Sequence, residues 1–173
     1  IRFDRLEPEA YDMPFSIFSG AGVIFGATGG VTEAAVRRVV EDKSPKALKE
    51  IEFIGLRGME GVKVCELPLG GRTIRIGVVS GLGNADRLLQ KIEAGEEHFD
   101  FVEVMACPGG CVAGAGQPFA RSTEKRMRAE GLYKNDKALQ IKRSEENPLV
   151  ETLYSDLLKN REHELLHVDY LHE

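Results

Sequence analysis

Apolar residues that recur every three or four positions predict two helices within the first hundred residues. The first helix stops before Ser44-Pro45, and its apolar face consists of Val31, Ala34, Ala35, Val39 and Val40. The second helix begins with Asn84 as its N-cap, ends at Gly95 and carries Leu88, Leu89 and Ile92. Residues 1–19 show no period, which predicts an irregular lead-in.

Short apolar runs bounded by turn residues predict strands around the second helix. Residues 53–56 form one candidate strand, and residues 62–67 and 73–79 flank Gly70-Gly71 as a hairpin. Residues 101–105 predict a short buried strand. The order of helices and strands indicates an α/β fold with a mixed sheet flanked by helices.

The composition changes after Pro118, and the remaining residues predict a helical tail on the α/β body. Residues 121–143 contain eight Lys or Arg against three acidic residues. Asn147-Pro148 is typical of a helix start, and a last helix is expected over residues 162–170. We therefore divide the chain into a body, residues 1–118, and a tail, residues 119–173.

Charge and hydropathy narrow the classes of partner. The 173 residues have a net charge of −5, which argues against nucleic acid as the main partner. The sequence contains no apolar run of the length that a membrane span needs, and its first residues, IRFDRLEPEA, lack the pattern of a signal peptide. We expect a cytoplasmic protein that does not contact a membrane.

The candidate chemistry lies in residues 103–118, EVMACPGGCVAGAGQP, directly after the last predicted strand. Cys107 and Cys111 flank a Pro-Gly-Gly turn at the end of a strand, where α/β sheets commonly hold ligands. Glycines leave backbone N–H groups free to donate to cluster sulfurs. Zinc and the common iron-sulfur clusters each require four ligands, however, and the sequence offers no second pair. Cys65, the third cysteine, lies within a strand pattern and is expected to be structural.

Two other motifs match known binding sites only in part. HELLH, residues 163–167, matches the H-E-x-x-H zinc motif, but it lacks a clear third ligand, so a terminal amphipathic helix is the better interpretation. SGAGVIFGATGGV, residues 19–31, is rich in glycine but lacks the lysine and the spacing of nucleotide-binding loops.

These segments together resemble the iron-only ([FeFe]) hydrogenases. EVMACPGGCVAGAGQP resembles the third cysteine signature of that family, SGAGVIFGATGGV resembles its upstream glycine-rich segment, and HELLHVDY resembles its small-subunit region. The resemblance covers only the later part of the catalytic domain, so the chain is expected to be one half of that domain with a small-subunit-like tail. Two earlier cysteine signatures are absent, which accounts for the missing pair of ligands.

The resemblance implies roles for five residues. Cys107 corresponds to a ligand of the [4Fe-4S] cubane, and Cys111 to the ligand that bridges the cubane to the two-iron subsite of the H-cluster. Met105, Phe25 and Gly26 correspond to the wall of the pocket around that subsite. Ala115 stands where the family more often has glycine.

The implied function of the intact enzyme is reversible H₂ oxidation and proton reduction. This chain alone is expected to be an inactive fragment without the cluster. The expected partners are the missing N-terminal half of the domain and an electron carrier such as ferredoxin, which the basic stretch 121–143 could face. The exposed interface is also expected to favour self-association. A Narf-like iron-sulfur assembly factor and an H₂-sensing relative remain the alternatives.

Overall fold

The computed structural model describes residues 2–10, 16–42, 44–53, 56–58 and 61–168. Its sheet consists of β1 (Val62–Leu69), β2 (Arg72–Ser80) and β3 (Phe101–Met105). Its helices are α1 (Gly20–Val23), α2 (Gly30–Val39), α3 (Pro45–Phe53), α4 (Leu82–Glu93), α5 (Ser122–Ala138), α6 (Pro148–Ser155) and α7 (Glu162–Leu166). Short 3-10 turns lie at Phe3–Arg5, Ile24–Gly26, Cys111–Ala113 and Ser144–Glu146.

Within the described residues the sheet is mixed and has the order β1-β2-β3. β1 pairs with β2 as an antiparallel hairpin, in which Leu69 lies opposite Arg72, and β2 pairs with β3 in parallel. The central strand is apolar along its second half because both faces of the sheet are covered there. β1 and β3 are the edge strands among the described residues, and β3 is half exposed rather than buried as the sequence predicted.

Two apolar clusters cover the two faces of the sheet. One face packs against α2 and α3 through Val36, Ile51, Leu56, Cys65, Leu67, Ile76 and Val78. The other face packs against α4 through Val79, Ala85 and Leu88, with Ile92, Phe99 and Val102 around them. The result is a three-layer α/β body, which confirms the predicted fold class.

The tail packs on the body through buried charges as well as backbone contacts. The amides of Gly20 and Ala21 in α1 donate to the carbonyls of Ile141 and Lys142, at 2.8 and 3.1 Å. Arg37 of α2 donates to both carboxylate oxygens of Asp136 of α5 at 2.8 Å, and both side chains are 2% exposed. The tail is therefore joined to the body by a buried ion pair.

Glu33 and Arg57 extend this ion pair into a network of four charged groups. Arg37 donates to Glu33 at 2.6 Å, and Arg57 donates to the same carboxylate at 2.7 and 2.8 Å. Burial lowers the pKa of Arg37, but the hydrogen bonds and charges of Asp136 and Glu33 outweigh it and the net shift is upward. Arg37 therefore stays charged within the fold.

Several predicted boundaries change. The strand predicted over residues 53–56 is not found in the described part of that range, because Phe53 ends helix α3 and Leu56 belongs to no strand; residues 54 and 55 lie outside the described residues. Asn84 does not cap α4: Gly81 precedes the helix, and Asn84 lies in its first turn with its side-chain amide on the Ser80 carbonyl at 2.6 Å. The last helix ends at Leu166, and residues 169–173 lie outside the described part.

Other helix ends match the sequence. Asn147 caps α6 by accepting from the Leu149 amide at 3.0 Å, with Pro148 at the first helical position. Gly95 follows α4 with a positive φ of 74°. Within the described ranges, none of the helices combines the length and the apolar composition that a membrane crossing requires.

Candidate functional site

The cysteine loop, residues 106–117, begins where β3 ends. The Gly110 amide donates to the Cys107 carbonyl at 2.9 Å, which closes a turn over Pro108-Gly109. A 3-10 turn then begins at Cys111, and the Gly114 amide donates to the Cys111 carbonyl at 3.0 Å. Both cysteines therefore lie on short hydrogen-bonded turns at the carboxyl end of a strand, as the sequence predicted for the loop.

The loop is fixed to the neighbouring strand β2. The Gly109 amide donates to the Ser80 hydroxyl at 2.9 Å, and the Gly81 amide donates to the Met105 carbonyl at 2.7 Å. Because β2 and β3 are parallel, their carboxyl ends meet at one edge of the sheet. Ser80 and Gly81, at the end of β2, thus hold the cysteine loop through these two hydrogen bonds.

The glycine-rich segment 19–31 packs against the same loop. Gly110 has a φ of +90°, and a Cβ on it would lie 2.8 Å from both the Gly26 carbonyl oxygen and the Thr28 amide nitrogen. Backbone approaches this close require glycine. The structure therefore brings Gly26 next to the loop that carries Cys107 and Cys111.

The three thiols differ in exposure. Cys111 is exposed, Cys107 is half-buried and Cys65 is buried within β1, and none of the three forms a disulfide. Burial raises the pKa of the Cys65 thiol, against a smaller opposing effect of Lys63. Cys65 therefore has the structural environment that the sequence predicted. That the sulfurs of Cys107 and Cys111 lie side by side stays a prediction.

Met105 lies near the cysteines in the chain, whereas Phe25 lines a different cavity. Met105 is half-buried at the end of β3, two residues before Cys107. Phe25 is 47% exposed and lines a cavity of about 770 Å³ with Val31, Val150 and Tyr154, residues of α2 and α6. Their shared role as a pocket wall remains a prediction.

An open hollow of about 470 Å³ lies beside Cys111 and is lined by Gly26, Val112, Arg128 and Leu132 among others. Arg128 of α5 donates to the Val112 carbonyl at 3.1 Å and to the Pro118 carbonyl at 2.9 Å. The tail thereby holds both ends of the segment that follows Cys111.

A third cavity, of about 700 Å³, lies against the turn of the cysteine loop. Its lining includes Thr28, Pro108, Gly109, Lys125 and Tyr133. The buried Thr28 hydroxyl has no hydrogen-bond partner among the described residues. Burial and the charge of Glu33 raise the pKa of Tyr133 to about 12, although Arg57, 4.2 Å from the centre of its ring, opposes the shift. The tail thus contributes the basic and phenolic groups of this wall.

Glu103 is a residue that sequence analysis missed. It lies in β3, is 6% exposed, and accepts hydrogen bonds from the Gly29 amide and the Thr32 amide, each at 2.7 Å. The Thr32 hydroxyl donates to it at 2.6 Å. A charged residue within the apolar run FVEVM was the available signal, but the pattern could not identify partners more than seventy positions away.

The cysteine loop brings two thiols, Cys107 and Cys111, to this edge of the sheet. No group of three or more His, Cys, Asp or Glu residues is arranged for a metal ion within the described ranges. The open edge, the glycine-lined turn and the unpartnered Thr28 hydroxyl fit a group shared with further protein. Cys107 and Cys111 are the residues that would hold it from this side.

The HELLH motif does not form a zinc site in the described residues. His163 and His167 have ring centroids 4.7 Å apart, but the helix spans only Glu162–Leu166, so His167 lies just past its end. Glu164, the expected base, accepts from Arg161 at 2.8 and 3.0 Å. A short terminal helix is therefore present, but its amphipathic packing was wrong, because Leu165 and Leu166 are 43% and 53% exposed.

The family models match iron-only hydrogenases, and the curated relatives include both hydrogenases and iron-sulfur assembly proteins. The family described as iron only hydrogenase large subunit, C-terminal domain, matches residues 1–115, and the iron hydrogenase small subunit family matches residues 122–173. An NADP-reducing hydrogenase subunit of Solidesulfovibrio fructosivorans is 42% identical over 98% of this chain and 30% of its own length. Iron hydrogenase 1 of Clostridium pasteurianum is 36% identical over 98% of this chain and 31% of its own length. Cytosolic iron-sulfur assembly component 3 of Mus musculus is 30% identical over 84% of this chain and 31% of its own length.

Solved structures agree with the sequence matches. A variant of the [FeFe]-hydrogenase of Chlamydomonas reinhardtii superposes with a TM-score of 0.58 at 31% identity, over 93% of this chain and 49% of its own. An [FeFe]-hydrogenase solved in a study of oxygen inactivation superposes with a TM-score of 0.61 at 32% identity, over 96% of this chain and 49% of its own. The chain thus spans 30% to 31% of the curated relatives and 49% of the solved chains that it matches.

Proposed function

The chain belongs to the iron-only hydrogenase family, and from this premise we propose that it is the part of such an enzyme that supplies two of the four cysteine ligands of its cluster. Cys107 would hold the [4Fe-4S] cubane, and Cys111 would be the ligand that the cubane shares with the two-iron subsite. Met105, Phe25 and Gly26 form the wall around that subsite. The reaction of the whole protein is the interconversion of H₂ with protons and electrons.

One observation carries this proposal. The loop with Cys107 and Cys111 lies at the sheet edge, with Gly110 packed so closely on the glycine-rich segment that a Cβ would lie 2.8 Å from the Gly26 carbonyl oxygen, and with Cys111 exposed to solvent. Two thiols on an open, glycine-lined edge are suited to bind a cluster that a second piece of protein encloses. The cluster supplies the redox chemistry, and this chain binds it, orients it and shields one side of it.

The proposal implies a missing partner half. The chain matches only 30% of the length of its hydrogenase relative, and β3, an edge strand among the described residues, exposes Phe101 on one face of the sheet and Val104 on the other. An apolar sheet edge beside an incomplete ligand set is suited to the other half of the domain. Without that half, the same edge favours self-association and the chain has no hydrogenase activity.

The electron carrier and the division of the chain are proposals of the same kind. Lys125 and Arg126 line the cavity behind the cysteine loop, and this basic surface suits an acidic carrier such as ferredoxin. Residues 1–118 correspond to the large-subunit part and residues 119–173 to the small-subunit part, which the matches to residues 1–115 and 122–173 support. A cytoplasmic location also stays a prediction, since one relative is named as periplasmic.

The alternative is an iron-sulfur assembly factor or an H₂ sensor. Assembly factors match at 30% identity and over less of the chain than the hydrogenase of Solidesulfovibrio fructosivorans, at 42%. The loop sequence MACPGGC is hydrogenase-like and lies next to Gly26, which favours the enzyme over the assembly factor.

The experiment is a graft. This chain replaces the aligned region of the hydrogenase subunit of Solidesulfovibrio fructosivorans, and H₂ evolution is measured in a host that supports the parent enzyme. We expect activity within about an order of magnitude of the parent, and a loss of more than about 100-fold for Cys107→Ser or Cys111→Ser, because even groups that only orient a metal ligand cost about 10- to 100-fold. The matched control is Cys65→Ser, which leaves both ligands in place.

Three outcomes would contradict the proposal. A folded, iron-loaded graft without H₂ evolution would favour the assembly factor, and slow turnover with intact H₂ binding would favour the sensor. Equal activity in the Cys111→Ser graft would exclude Cys111 as a ligand.

A further inference from the structure

Glu103 is a buried carboxylate that joins two segments of the site. It projects from β3, four residues before Cys107, and its two oxygens accept three hydrogen bonds of 2.6 to 2.7 Å from Gly29 and Thr32. All three donors are neutral, and the residue is 6% exposed. A buried carboxylate is costly unless its oxygens are satisfied, and here three short bonds satisfy them.

These bonds replace the cap that helix α2 lacks. Gly29 is the N-cap residue of α2, with a φ of +88° and no side chain to accept from the first turn. In most helices a Ser, Thr, Asp or Asn at this position accepts from the amide two or three residues later. Glu103 performs that task from another element, and its negative charge lies at the positive end of the helix.

Gly29 cannot itself be replaced by a capping residue. A Cβ at this position would lie 1.9 Å from the Leu56 carbonyl oxygen, and the positive φ would strain any other side chain. The sharp turn into α2 therefore excludes a local cap, so an acceptor must come from elsewhere in the fold.

The same segment supports the cysteine loop. Gly110 lies against the Gly26 carbonyl and the Thr28 amide, so the backbone of residues 26–29 is held between Gly110 on one side and Glu103 on the other. The Ser80 hydroxyl accepts from Gly109 and fixes the loop only at its turn. Movement of residues 26–29 would therefore remove the support of Gly110 and reach the adjacent Cys111.

We propose that Glu103 is a positioning residue, which sets the glycine-rich segment against the cysteine loop before any cluster binds. The carboxylate does not touch the reacting atoms; it acts through Gly29 and Thr32 on Gly26, and through Gly110 on Cys111. The inference deepens the proposed function and rests on it for the meaning of the loop as a cluster site.

The test uses the metal-free chain with Glu103→Gln. A carboxamide has only one acceptor oxygen, and its NH₂ group faces a backbone donor, so at least one of the three bonds is lost. We expect amide hydrogen exchange to rise about tenfold in residues 26–32 and in residues 106–114, the effect of about one net hydrogen bond on a local opening equilibrium. The rate at which iodoacetamide alkylates Cys107 and Cys111 should rise together with the exchange rate, whereas the alkylation rate of the distant Cys65 should stay the same.

Thr32→Val is the milder second variant. It removes only the hydroxyl bond and keeps the carboxylate and both amide bonds. A smaller rise in exchange in the same two segments is expected, and this variant keeps the test decisive should Glu103→Gln fail to fold.

Glu146→Gln is the matched control. Glu146 also accepts from two amides, those of Lys142 and Arg143 at 3.2 Å, and from the Arg143 side chain at 2.8 Å, but it lies in the tail. Exchange in residues 26–32 and 106–114 should not change in this variant.

Three results would overturn the proposal: exchange that rises in residues 26–32 but not in residues 106–114, exchange that rises equally in β1 and β2, and no change. The first would limit Glu103 to capping α2, and the second would make it a general stabiliser. Because the measurement needs no cluster, an inactive hydrogenase graft would refute the proposed function and leave this result in place.

Discussion

The three cysteines differ at the scale of single residues, and their reactivity should follow that difference. Cys111 is exposed, Cys107 is half-buried, and burial raises the pKa of Cys65. Since the thiolate is the reactive form, we expect iodoacetamide at pH 7 to modify Cys111 first, Cys107 next and Cys65 at least about tenfold more slowly. Peptide mass spectrometry of the native, metal-free chain measures the order. Modification of Cys65 as fast as Cys111 would contradict it.

Gly29 is a residue at which any side chain should be damaging, because both space and backbone conformation exclude one. Gly29→Ala places a methyl 1.9 Å from the Leu56 carbonyl at a φ of +88°, so we expect it to destabilise the fold by more than about 2 kcal/mol in urea denaturation. Gly131→Ala is the matched control, because nothing lies within 4 Å of its Cβ position inside α5. There the substitution should stabilise by about 0.5–1 kcal/mol. Equal effects of the two substitutions would contradict this account.

At the scale of elements, α5 holds the cysteine loop through Arg128. Arg128→Ala removes the hydrogen bonds to the Val112 and Pro118 carbonyls, and we expect faster amide exchange and faster proteolysis within residues 112–118. The expected cost is about 1–2 kcal/mol, because both bonds are charge-assisted but partly exposed. Arg126→Ala, an exposed arginine on the same helix, should stay within about 0.5 kcal/mol. An unchanged loop in Arg128→Ala would show that α5 does not hold it.

The sequence predicted elements well where one local signal decided them. The Gly70-Gly71 hairpin, the Asn147 cap and the strand Phe101–Met105 each depend on a few adjacent residues, and all three are present. Helix α3 was missed because Ser44-Pro45 was interpreted only as the end of the first helix, although a proline is also well placed to begin one.

The parts of the site that sequence could not predict depend on distant contacts. The loop and its two cysteines follow from a local motif, whereas Glu103 acts on residues more than seventy positions earlier and Arg128 reaches back from the tail. Periodicity carries no information on such pairs, so only the folded chain shows which polar groups support the loop.

At the scale of the whole molecule, the buried network of Arg37, Asp136, Glu33 and Arg57 joins the tail to the body. Asp136→Ala leaves Arg37 buried without one of its two carboxylates, so we expect a loss of about 3–5 kcal/mol in urea denaturation. Limited proteolysis should then release the tail, residues 119–173, more readily. Glu164→Gln, which breaks the exposed pair with Arg161, is the control and should leave the free energy of unfolding nearly unchanged. A cost as small for Asp136→Ala would mean that the network does not hold the tail.

The central claim is that this chain holds one side of a cluster that it cannot complete alone. The most direct measurement is H₂ evolution, per mole of protein, by the purified chain produced anaerobically in the same host as the hydrogenase graft, beside that graft, which contains the same residues. With two of four cysteines and an exposed Cys111, the chain alone is predicted to evolve no H₂ while the graft is active. H₂ evolution by the chain alone at a rate comparable to that of the graft would contradict the account.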